Sequence, residues 1–350
     1  MSRGVDSRRL AAEDWPAWER LVSESPDGSV YALPAYLDAL CSAAGGNFEL
    51  LGVFRGEELV GGLPLYLRNG SGGTWVGPRL LLYYLGPVLR ASETRYPSQR
   101  TSRQLDVLGA MTKALAERGL DAMTFKCRHT VADVRPFLAA GWTAWPSYSY
   151  LVPLEDLELA WSRVEQNLRR LVDRCDKAGF RLVEDDAFPT FYRLHRLALE
   201  RKDTEPYLPE SAFEAFFHRL RSAGHCRLFH AALPDGTIAA SQLVLTGPHP
   251  VSHTVCAGAD PQHLATGVNA FLRWSSFVAL REGGSRANDL TDAALNPTTH
   301  FKSQLGGDLV QCMVLEGPSS RRWRLARLAA TVEGTARSAA RRLLRGGRAG

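Results

Sequence analysis

The architecture of the chain is indicated most clearly by residues 251–307, which read VSHTVCAGADPQHLATGVNAFLRWSSFVALREGGSRANDLTDAALNPTTHFKSQLGG. Their order predicts a strand, a short polar loop, a helix, a second short strand and then a lysine. A strand that turns through small residues into a helix leaves free backbone N–H groups at the helix N-terminus, and such groups suit a phosphate. The segment therefore predicts a site for a phosphate-bearing donor, with acidic groups and a cation close by.

Two hairpins are predicted outside this segment, one in each half of the chain. Residues 48–55 and 59–67 alternate as strands around a Gly-containing turn, and residues 226–233 and 238–246 do the same around Pro234-Asp235-Gly236. Each hairpin is preceded by helices and followed by a strand, a helix and a strand. The repeated order predicts a duplicated fold.

Helices are predicted at residues 104–118 and at residues 155–178, each followed by a glycine at the position that ends a helix. The complete pattern predicts a mixed α/β fold with two tandem domains. The predicted domains are residues 1–150 and residues 151–316, followed by a basic tail at 317–350.

The composition excludes several classes of protein. The chain is 45% hydrophobic and 23% charged, and its six cysteines occur singly without a CxxC pair, so no zinc ribbon or thioredoxin-like site is indicated. The first residues lack an apolar signal core, and the apolar run at 80–89 is too short to span a bilayer. The sequence predicts a reduced, cytoplasmic protein without a metal, and it contains no G-x-S-x-G, H-E-x-x-H or Walker motif.

The positive charge is concentrated at the C-terminus. Residues 319–350 contain nine arginines and one acid, a net charge of +8 against +5 for the whole chain, so the remainder carries −3. From residue 323 onward, leucines, Val332 and alanines share one helical face and arginines the other. This pattern predicts a basic amphipathic helix that binds an anionic membrane surface or tRNA, and no DNA. A partly disordered terminus or a helix packed on the body would have the same composition.

The segment WSRVEQNLRRLVDRCDKAGF, residues 161–180, resembles a segment of the FemAB-like acyltransferases, with Arg169, Lys177, Ala178 and Gly179 in matching places. Residues 136–154 resemble the join between the two halves of that family. Further on, residues 288–292 stand where the family has its "fDfgg"-like strand end, and residues 300–307 match its "FK..fGg". The resemblance covers roughly residues 30–315 and places the chain in the group described as BioF2-like or CelD-like acetyltransferases. It departs from the pattern at Thr291-Asp292, which replace glycines.

This resemblance implies two GNAT-like domains that transfer an acyl group to an amine or a hydroxyl. The implied acceptor is a cell-envelope glycan precursor or a related small metabolite, and the implied donor is acyl-CoA. Peptidoglycan-branching members use aminoacyl-tRNA instead, but no sustained heptad run occurs at residues 188–226, where such members often insert a helical arm. A non-catalytic binding protein is a third reading, because the first half has no donor loop. The implied location is cytoplasmic, with peripheral association at the inner face of the membrane as an option.

The resemblance also implies roles for residues in the second half. Lys302 is the cation expected beside the developing oxyanion or the donor phosphate, and Phe301 fixes its position. The spacing Gln-x-x-Ala-x-Gly fits the loop that GNAT acyltransferases place on coenzyme A, and Thr266 is expected to cap the following helix. The residues implied for the donor are Gln262, Ala265, Thr266, Gly267 and Phe301.

The remaining candidates concern proton transfer and the acceptor. Asp289 at a strand end could orient or deprotonate the acceptor, and His253 could act as a base if it faces the cleft. Asp292 reads rather as a turn acid. Each of these residues has an ordinary structural interpretation as well, as a cap, a buried histidine or a solvated helix face. The residues predicted to hold an anionic acceptor are Arg169, Arg170, Lys202 and Tyr207.

Overall fold

The computed structural model describes residues 4–330, which form one 13-stranded sheet and the helices that connect its strands. The strands in chain order are β1 (Asp6–Arg9), β2 (Asn47–Arg55), β3 (Glu58–Gly70), β4 (Gly73–Val76), β5 (Val88–Leu89), β6 (Ala122–Lys126), β7 (Thr143–Pro153), β8 (Arg181–Glu184), β9 (Cys226–Ala232), β10 (Ile238–Leu245), β11 (Val251–Ala259), β12 (Ala287–Asp289) and β13 (Asp308–Glu316). The two predicted hairpins are present as β2–β3 and β9–β10.

Helices occupy most of the connections between strands. They are α1 (Trp15–Glu24), α2 (Pro34–Ala44), α3 (Pro97–Ala116), α4 (Arg135–Ala139), α5 (Leu157–Arg163), α6 (Gln166–Lys177), α7 (Phe188–Glu200), α8 (Glu210–Ser222), α9 (Val268–Glu282) and α10 (Pro297–Ser303). Helix α3 begins before the predicted residue 104 because Pro97 occupies its first turn, where the missing N–H has no cost.

The two halves exchange their last strands. The order along the sheet is β1-β2-β3-β4-β6-β13-β7-β12-β11-β10-β9-β8, with β5 beside β3. Strand β13, from the end of the second half, lies between β6 and β7 of the first half, and β7 pairs with β12 of the second half. Each half also contains one parallel pair, β4–β6 and β11–β12. The duplication that was predicted from element order is therefore present, and each half is completed by a strand of the other.

The predicted domain boundary after residue 150 falls inside β7, which both halves share. The halves are also joined through a common core, in which Tyr36 of α2 packs edge-on against Phe216 of α8 at 5.7 Å between ring centroids. The sheet and the core are continuous across residue 150. The division of the chain into two domains at this residue therefore remains a prediction.

The helix predicted at 155–178 is broken into α5 and α6. Val164 has an extended backbone with ψ of 134°, and the next residue, Glu165, is bound to Gln304 at the end of α10. The Glu165 N–H donates to the Gln304 carbonyl at 3.0 Å, and the Gln304 amide donates to the Glu165 carboxylate at 2.8 Å. The uninterrupted prediction was wrong because this contact with a distant segment opposes the local helical preference. The break fixes the C-terminal end of α10, which carries Lys302.

Helix α7 lies unusually close to β11. A Cβ atom at Gly258 would lie 2.2 Å from the carbonyl oxygen of Leu194, so only glycine permits this approach. The close packing places the side chains of His195 and Lys202, on and just after α7, beside the second half of β11.

The basic tail is described only as far as residue 330. Residues 321–330 are helical and are held on the first half by Trp323, whose ring lies 4.9 Å from that of Trp75. Leu325 and Leu328 are 57% and 64% exposed. The rest of the predicted amphipathic helix, residues 331–350, lies outside the described residues.

Candidate active site

A cavity of about 540 Å³ lies between the two halves, at the point where β11 and β12 separate. The strands pair in register from Val251↔Ala287 to His253↔Asp289, and β12 then ends while β11 continues. From Thr254 to Ala257 every residue of β11 lines the cavity. The first half contributes residues 78–83 and Lys126 to the opposite wall.

The corresponding gap in the first half is filled by the chain itself. After the parallel pair β4–β6, Leu85 forms a bridge with Lys126, with N–O distances of 2.9 and 3.0 Å in the two directions. The described residues of the first half therefore close their own gap, while the gap in the second half is open to a ligand. The open gap lies in the half that the sequence predicted to carry the donor.

Lys302, the cation predicted from the sequence, lies on α10 and lines the cavity wall. Its ammonium group donates hydrogen bonds to the carbonyl oxygens of Thr291 and Asp292, the latter at 2.7 Å. Burial and the nearby charge of Arg273 lower the pKa of Lys302 to about 8. At neutral pH the side chain is therefore mostly charged, and one of its three N–H donors is not used by these two carbonyls.

The Thr291-Asp292 pair has the backbone conformation that glycines would adopt. Both residues have positive φ, 44° and 60°, a region that costs a residue with a Cβ about 1–3 kcal/mol. The turn is held by Lys302 and by two hydrogen bonds of Thr291. The Thr291 N–H donates to Asp289 Oδ1 at 2.8 Å, and the Thr291 hydroxyl donates to the Thr254 carbonyl at 2.8 Å. The departure from the family pattern thus preserves the backbone shape and adds a carboxylate to the wall.

Among the described residues that line the cavity, the acidic residue is Asp292. The sequence had favoured Asp289 as the carboxylate that orients or deprotonates the acceptor. Asp292 raises the pKa of Lys302 and of Lys126, so its carboxylate lies close to both cations. A carboxylate on the wall can accept a proton from an acceptor amine or hydroxyl. The sequence interpretation of Asp292 as a simple turn acid missed this position.

Basic residues dominate the rest of the wall, which is lined by Arg79, Lys126, Lys202, Arg273 and Lys302. The sequence analysis did not single out Arg273. It lies on α9 within the run Phe271-Leu272-Arg273-Trp274, and its Nη1 atom is buried without a hydrogen-bond partner among the described residues. Burial lowers the pKa of Arg273 to about 10.

Two further polar side chains on the wall lack partners in the described part of the chain. His195 is 3% exposed and neither of its ring nitrogens has a hydrogen bond of normal geometry, although the Ala257 peptide lies nearby. Burial lowers the pKa of His195 to about 4, so the ring is neutral at pH 7. The Tyr31 hydroxyl is also buried and unpaired. Since buried polar groups are normally hydrogen-bonded, these atoms are suited to a ligand in the cavity.

Asp289 does not contact the cavity, and the structure corrects its predicted placement. The side chain is fully buried and accepts hydrogen bonds from Tyr84 at 2.8 Å, from Ser149 and from the backbone of Thr291. Burial alone would raise its pKa, but nearby positive charge and these hydrogen bonds hold the pKa below its usual value. It is buried because β12 lies between β7 and β11, and the pairing with β7 of the other half was not visible in the sequence.

His253 is likewise enclosed and does not face the cleft. It precedes the separation of β11 from β12, where its ring lies 5.0 Å from the ring of Tyr31 and its Nδ1 lies 3.8 Å from Asp289. Burial lowers the pKa of His253 to about 3, so the ring is neutral at pH 7. The guanidinium of Arg128, 3.4 Å from Nε2, therefore supplies the positive charge near Asp289.

The predicted donor loop lies outside the cavity wall. Residues Pro261–Thr266 form a 3-10 turn, and the Thr266 hydroxyl donates to the His263 carbonyl at 2.6 Å instead of capping α9. The capping position is Gly267, with φ of 98° and Leu171 of α6 packed against it. The expected cap by Thr266 was wrong because its hydroxyl is satisfied within the turn. Contact of Gln262, Ala265 and Gly267 with a donor remains a prediction.

The predicted acceptor residues separate into two groups. Lys202 and Tyr207 line the cavity, while Arg169 and Arg170 lie on α6 away from the wall. Phe301 packs against the core of the second half, and its contact with the donor remains a prediction. Among residues 4–330, no cluster of three or more His, Cys, Asp or Glu side chains could hold a metal ion. No described helix has the length and hydropathy needed to cross a membrane.

Comparison with known proteins identifies the second half and the overall fold. Residues 162–303 match the model of the acetyltransferase (GNAT) domain. A search of curated protein sequences gave no match. The crystal structure of FemX has a TM-score of 0.70 with 13% identity, over 88% of this chain and 96% of that one.

Two other solved structures share the fold at lower similarity. A tandem GNAT protein from the clavulanic acid biosynthesis pathway has a TM-score of 0.52 and 16% identity, over 90% of this chain and 100% of the other. The C-terminal domain of a putative lysylphosphatidylglycerol synthetase from Agrobacterium fabrum has a TM-score of 0.55 and 15% identity, over 89% and 96%. These comparisons confirm the predicted fold of two tandem GNAT-like halves.

Proposed function

We propose that this FemAB-like chain, an acyltransferase of the GNAT superfamily, transfers an acyl group from acyl-CoA to an amine or hydroxyl in the cavity between its halves. The observation that carries the proposal is the open gap between β11 and β12, inside the region that matches the GNAT domain. The gap combines a free strand edge with a cation, Lys302, and a carboxylate, Asp292, on the same wall.

The free edge of β11 suits an extended donor that contains amides. Val255 is an unpaired residue at an irregularity of β11, and from Cys256 to Ala259 the strand pairs with β10 but not with β12, so the backbone groups on its other edge have no strand partner in the described part of the chain. Exposed strand edges bind extended chains through N–H and C=O groups, and the pantetheine arm of coenzyme A contains two amides. A donor bound in this way would lead its thioester into the cavity.

The chemistry requires a proton acceptor and a stabilised oxyanion. The acceptor nitrogen or oxygen attacks the thioester carbonyl carbon, its proton passes to Asp292, and the carbonyl oxygen gains negative charge that the Lys302 ammonium stabilises. When the tetrahedral intermediate collapses, the C–S bond breaks and the coenzyme A thiolate leaves. The proton then leaves Asp292 for the thiolate or for solvent.

Aminoacyl-tRNA is the alternative donor, and the similarity to FemX keeps it open. Both donors present an activated acyl carbonyl to the same kind of gap. They differ in size and charge, so direct binding separates them.

The first prediction is that acetyl-CoA or a longer acyl-CoA raises the melting temperature, because a ligand that binds only the folded state stabilises it. At a ligand concentration of 100 Kd the expected stabilisation is about 2.7 kcal/mol. Asp292→Asn should keep this shift and lose transfer, measured as free coenzyme A released with a panel of amines and hydroxyl compounds. A shift with bulk aminoacyl-tRNA and none with any acyl-CoA would instead favour the alternative donor.

We also propose that residues 321–330 bring the protein to an anionic membrane surface. Arg321 and Arg324 are exposed on the same short helix as Leu325 and Leu328, and Trp323 anchors that helix to the body. Exposed leucines favour a lipid surface over tRNA, which binds chiefly through phosphate charge.

A double substitution tests this proposal. Leu325→Glu with Leu328→Glu should weaken co-sedimentation with phosphatidylglycerol-containing vesicles at least about tenfold, because it removes apolar contact and adds repulsion. Leu138→Glu with Leu159→Glu, at exposed leucines elsewhere, is the matched control. Equal binding by all three proteins would contradict the proposal, and loss of tRNA binding without loss of vesicle binding would assign the helix to tRNA.

A further inference from the structure

Three basic residues from separate elements converge on one side of the cavity. Lys202 follows α7, Arg273 lies on α9 and Lys302 lies on α10, and all three line the wall. The charge of Arg273 lowers the pKa of both lysines, so the three groups are close enough to repel one another. We call Lys202, Arg273 and Lys302 the 202–273–302 cluster. Of these three residues, only Lys302 has a role in the transfer chemistry proposed above.

The cluster is not neutralised by acids of the described chain. No acid raises the pKa of Lys202 or of Arg273, and desolvation together with neighbouring cations lowers the pKa of Lys202. Asp292 and the buried Asp289 act on Lys302 alone within the cluster. Unpaired positive charges in a partly buried site are unfavourable in the empty protein, because burial removes their hydration.

The cluster also has unused hydrogen-bond donors. The Nη1 atom of Arg273 is buried without a partner in the described part of the chain. Lys302 has one N–H donor beyond the two that bind carbonyls, and because the transfer step proposed above uses that donor for the developing oxyanion, Lys302 attracts the acceptor anion through its charge. His195, 97% buried on the same wall, has two ring nitrogens without a hydrogen bond of normal geometry in the described part of the chain, although the Ala257 peptide lies nearby. A carboxylate or phosphate would accept from these groups and balance the charge, since guanidinium and ammonium groups bind oxyanions with charge-assisted hydrogen bonds.

We propose that the 202–273–302 cluster binds an oxyanionic group, a carboxylate or a phosphate, of the acceptor. The assignment to the acceptor rests on the proposed acyltransferase function, and it makes the acceptor an amino or hydroxy compound that also carries a carboxylate or a phosphate. Arg273 lies six residues beyond Gly267, roughly 9 Å along α9 from the helix end that is predicted to meet donor phosphate. The cluster therefore lies toward the reacting end of the site.

Calorimetric titration with inorganic phosphate and with succinate, at constant ionic strength, tests the cluster without knowledge of the natural acceptor. Arg273→Gln should weaken binding of these probes at least tenfold and should raise the melting temperature of the unliganded protein, because one repelling charge is removed. Arg281→Gln, an exposed arginine in the last turn of the same helix, is the control and should change neither. A structural arginine would behave in the opposite way: its loss would lower the melting temperature and leave probe binding unchanged, and this result would overturn the proposal.

The pH dependence provides a second readout. Lys302 is surrounded by Arg273 of α9, Lys202 after α7, and Asp289 and Asp292 at the end of β12, and it loses its proton near pH 8 in the empty site. Because an anion favours the protonated form of Lys302, the affinity for succinate, whose two carboxylates stay ionised from neutral pH upward, should be constant between pH 7 and 8 and should fall by up to about tenfold per pH unit above pH 8. In Lys302→Met this decline should disappear. A decline of equal size in the variant would contradict the placement of the anion beside Lys302.

The source of the anion is decided with acetyl-CoA. Simultaneous binding of phosphate and acetyl-CoA, with the acetyl-CoA affinity unchanged in Arg273→Gln, assigns the cluster to the acceptor. Displacement of phosphate by acetyl-CoA, or weaker acetyl-CoA binding in the variant, would assign the cluster to the donor and overturn the proposal. If the protein binds phosphate but no acyl-CoA, the anion site is supported and the proposed donor is contradicted. A failure of the anion site can therefore be distinguished from a failure of the proposed acyl-CoA donor.

Discussion

Lys302→Ala is expected to lower kcat/KM for acyl transfer by at least about 100-fold, the effect of removing one group that stabilises a developing oxyanion. The loss has a second cause in this protein. The ammonium holds the carbonyl oxygens of Thr291 and Asp292, which have positive φ, and without it the turn is free to relax and move the Asp292 carboxylate. Steady-state release of coenzyme A with a responding acceptor measures the effect.

A control variant and a double variant separate the loss of oxyanion stabilisation from the relaxation of the turn. Lys177→Ala removes an exposed lysine at the end of α6 and should retain full activity. Thr291→Gly in the Lys302→Ala background should restore part of the backbone shape, because glycine adopts positive φ without strain. Full activity of Lys302→Ala would remove Lys302 from the site, and complete rescue by Thr291→Gly would assign it a purely positioning role.

Asp289→Asn is expected to lower the free energy of unfolding by roughly 3–5 kcal/mol, the cost of leaving one partner of a buried charged network without the other. The carboxylate accepts hydrogen bonds from Tyr84 and Ser149 and lies near the Arg128 guanidinium through His253. Urea unfolding monitored by tryptophan fluorescence measures the change. Asp173→Asn, at an exposed acid on α6, should leave the unfolding free energy within about 0.5 kcal/mol of the parent.

The pH dependence of this destabilisation has a definite sign. The pKa of Asp289 is lower in the folded protein than in the unfolded chain, so its contribution is complete above the unfolded value near 3.9 and is lost as the pH falls through the folded value. The difference between Asp289→Asn and the parent should therefore persist at pH 7 and shrink in strong acid. An Asp289→Asn protein of unchanged stability that has lost transfer would instead support the catalytic role that the sequence suggested.

Local sequence signals predicted the secondary structure correctly where interactions between neighbouring residues determine it. The turn Pro234-Asp235-Gly236 specified its hairpin, and the glycines after α3 and α6 marked helix ends. Local signals failed at Val164-Glu165, where a hydrogen-bonded contact with Gln304, far along the chain, breaks a helical pattern. The exchange of β7 and β13 could not be predicted from local patterns either, because the pairing of strands depends on contacts between distant parts of the chain.

The site was predicted in part. The family motif pointed to Lys302, which lines the cavity, but strand alternation could not show that the Asp289 carboxylate is enclosed by Tyr84 and Ser149 while Asp292 lines the cavity. Arg273 and His195 have a signal in the sequence, since Arg273 interrupts the apolar run 271–274 and His195 lies on a helix face with Phe191 and Leu199. Tyr31 had none, because a tyrosine between buried residues has the same pattern whether its hydroxyl meets a ligand or the core.

The exchanged strands also constrain how the polypeptide is made. Strand β6 is synthesised long before β13, its partner in the finished sheet, and more than 180 residues of chain separate them. Until β13 emerges from the ribosome, β6 and β7 each present an unpaired edge to other nascent chains. Productive folding must therefore wait for the last strand of the body, and release of the chain before residue 308 should yield aggregation-prone fragments that depend on chaperones.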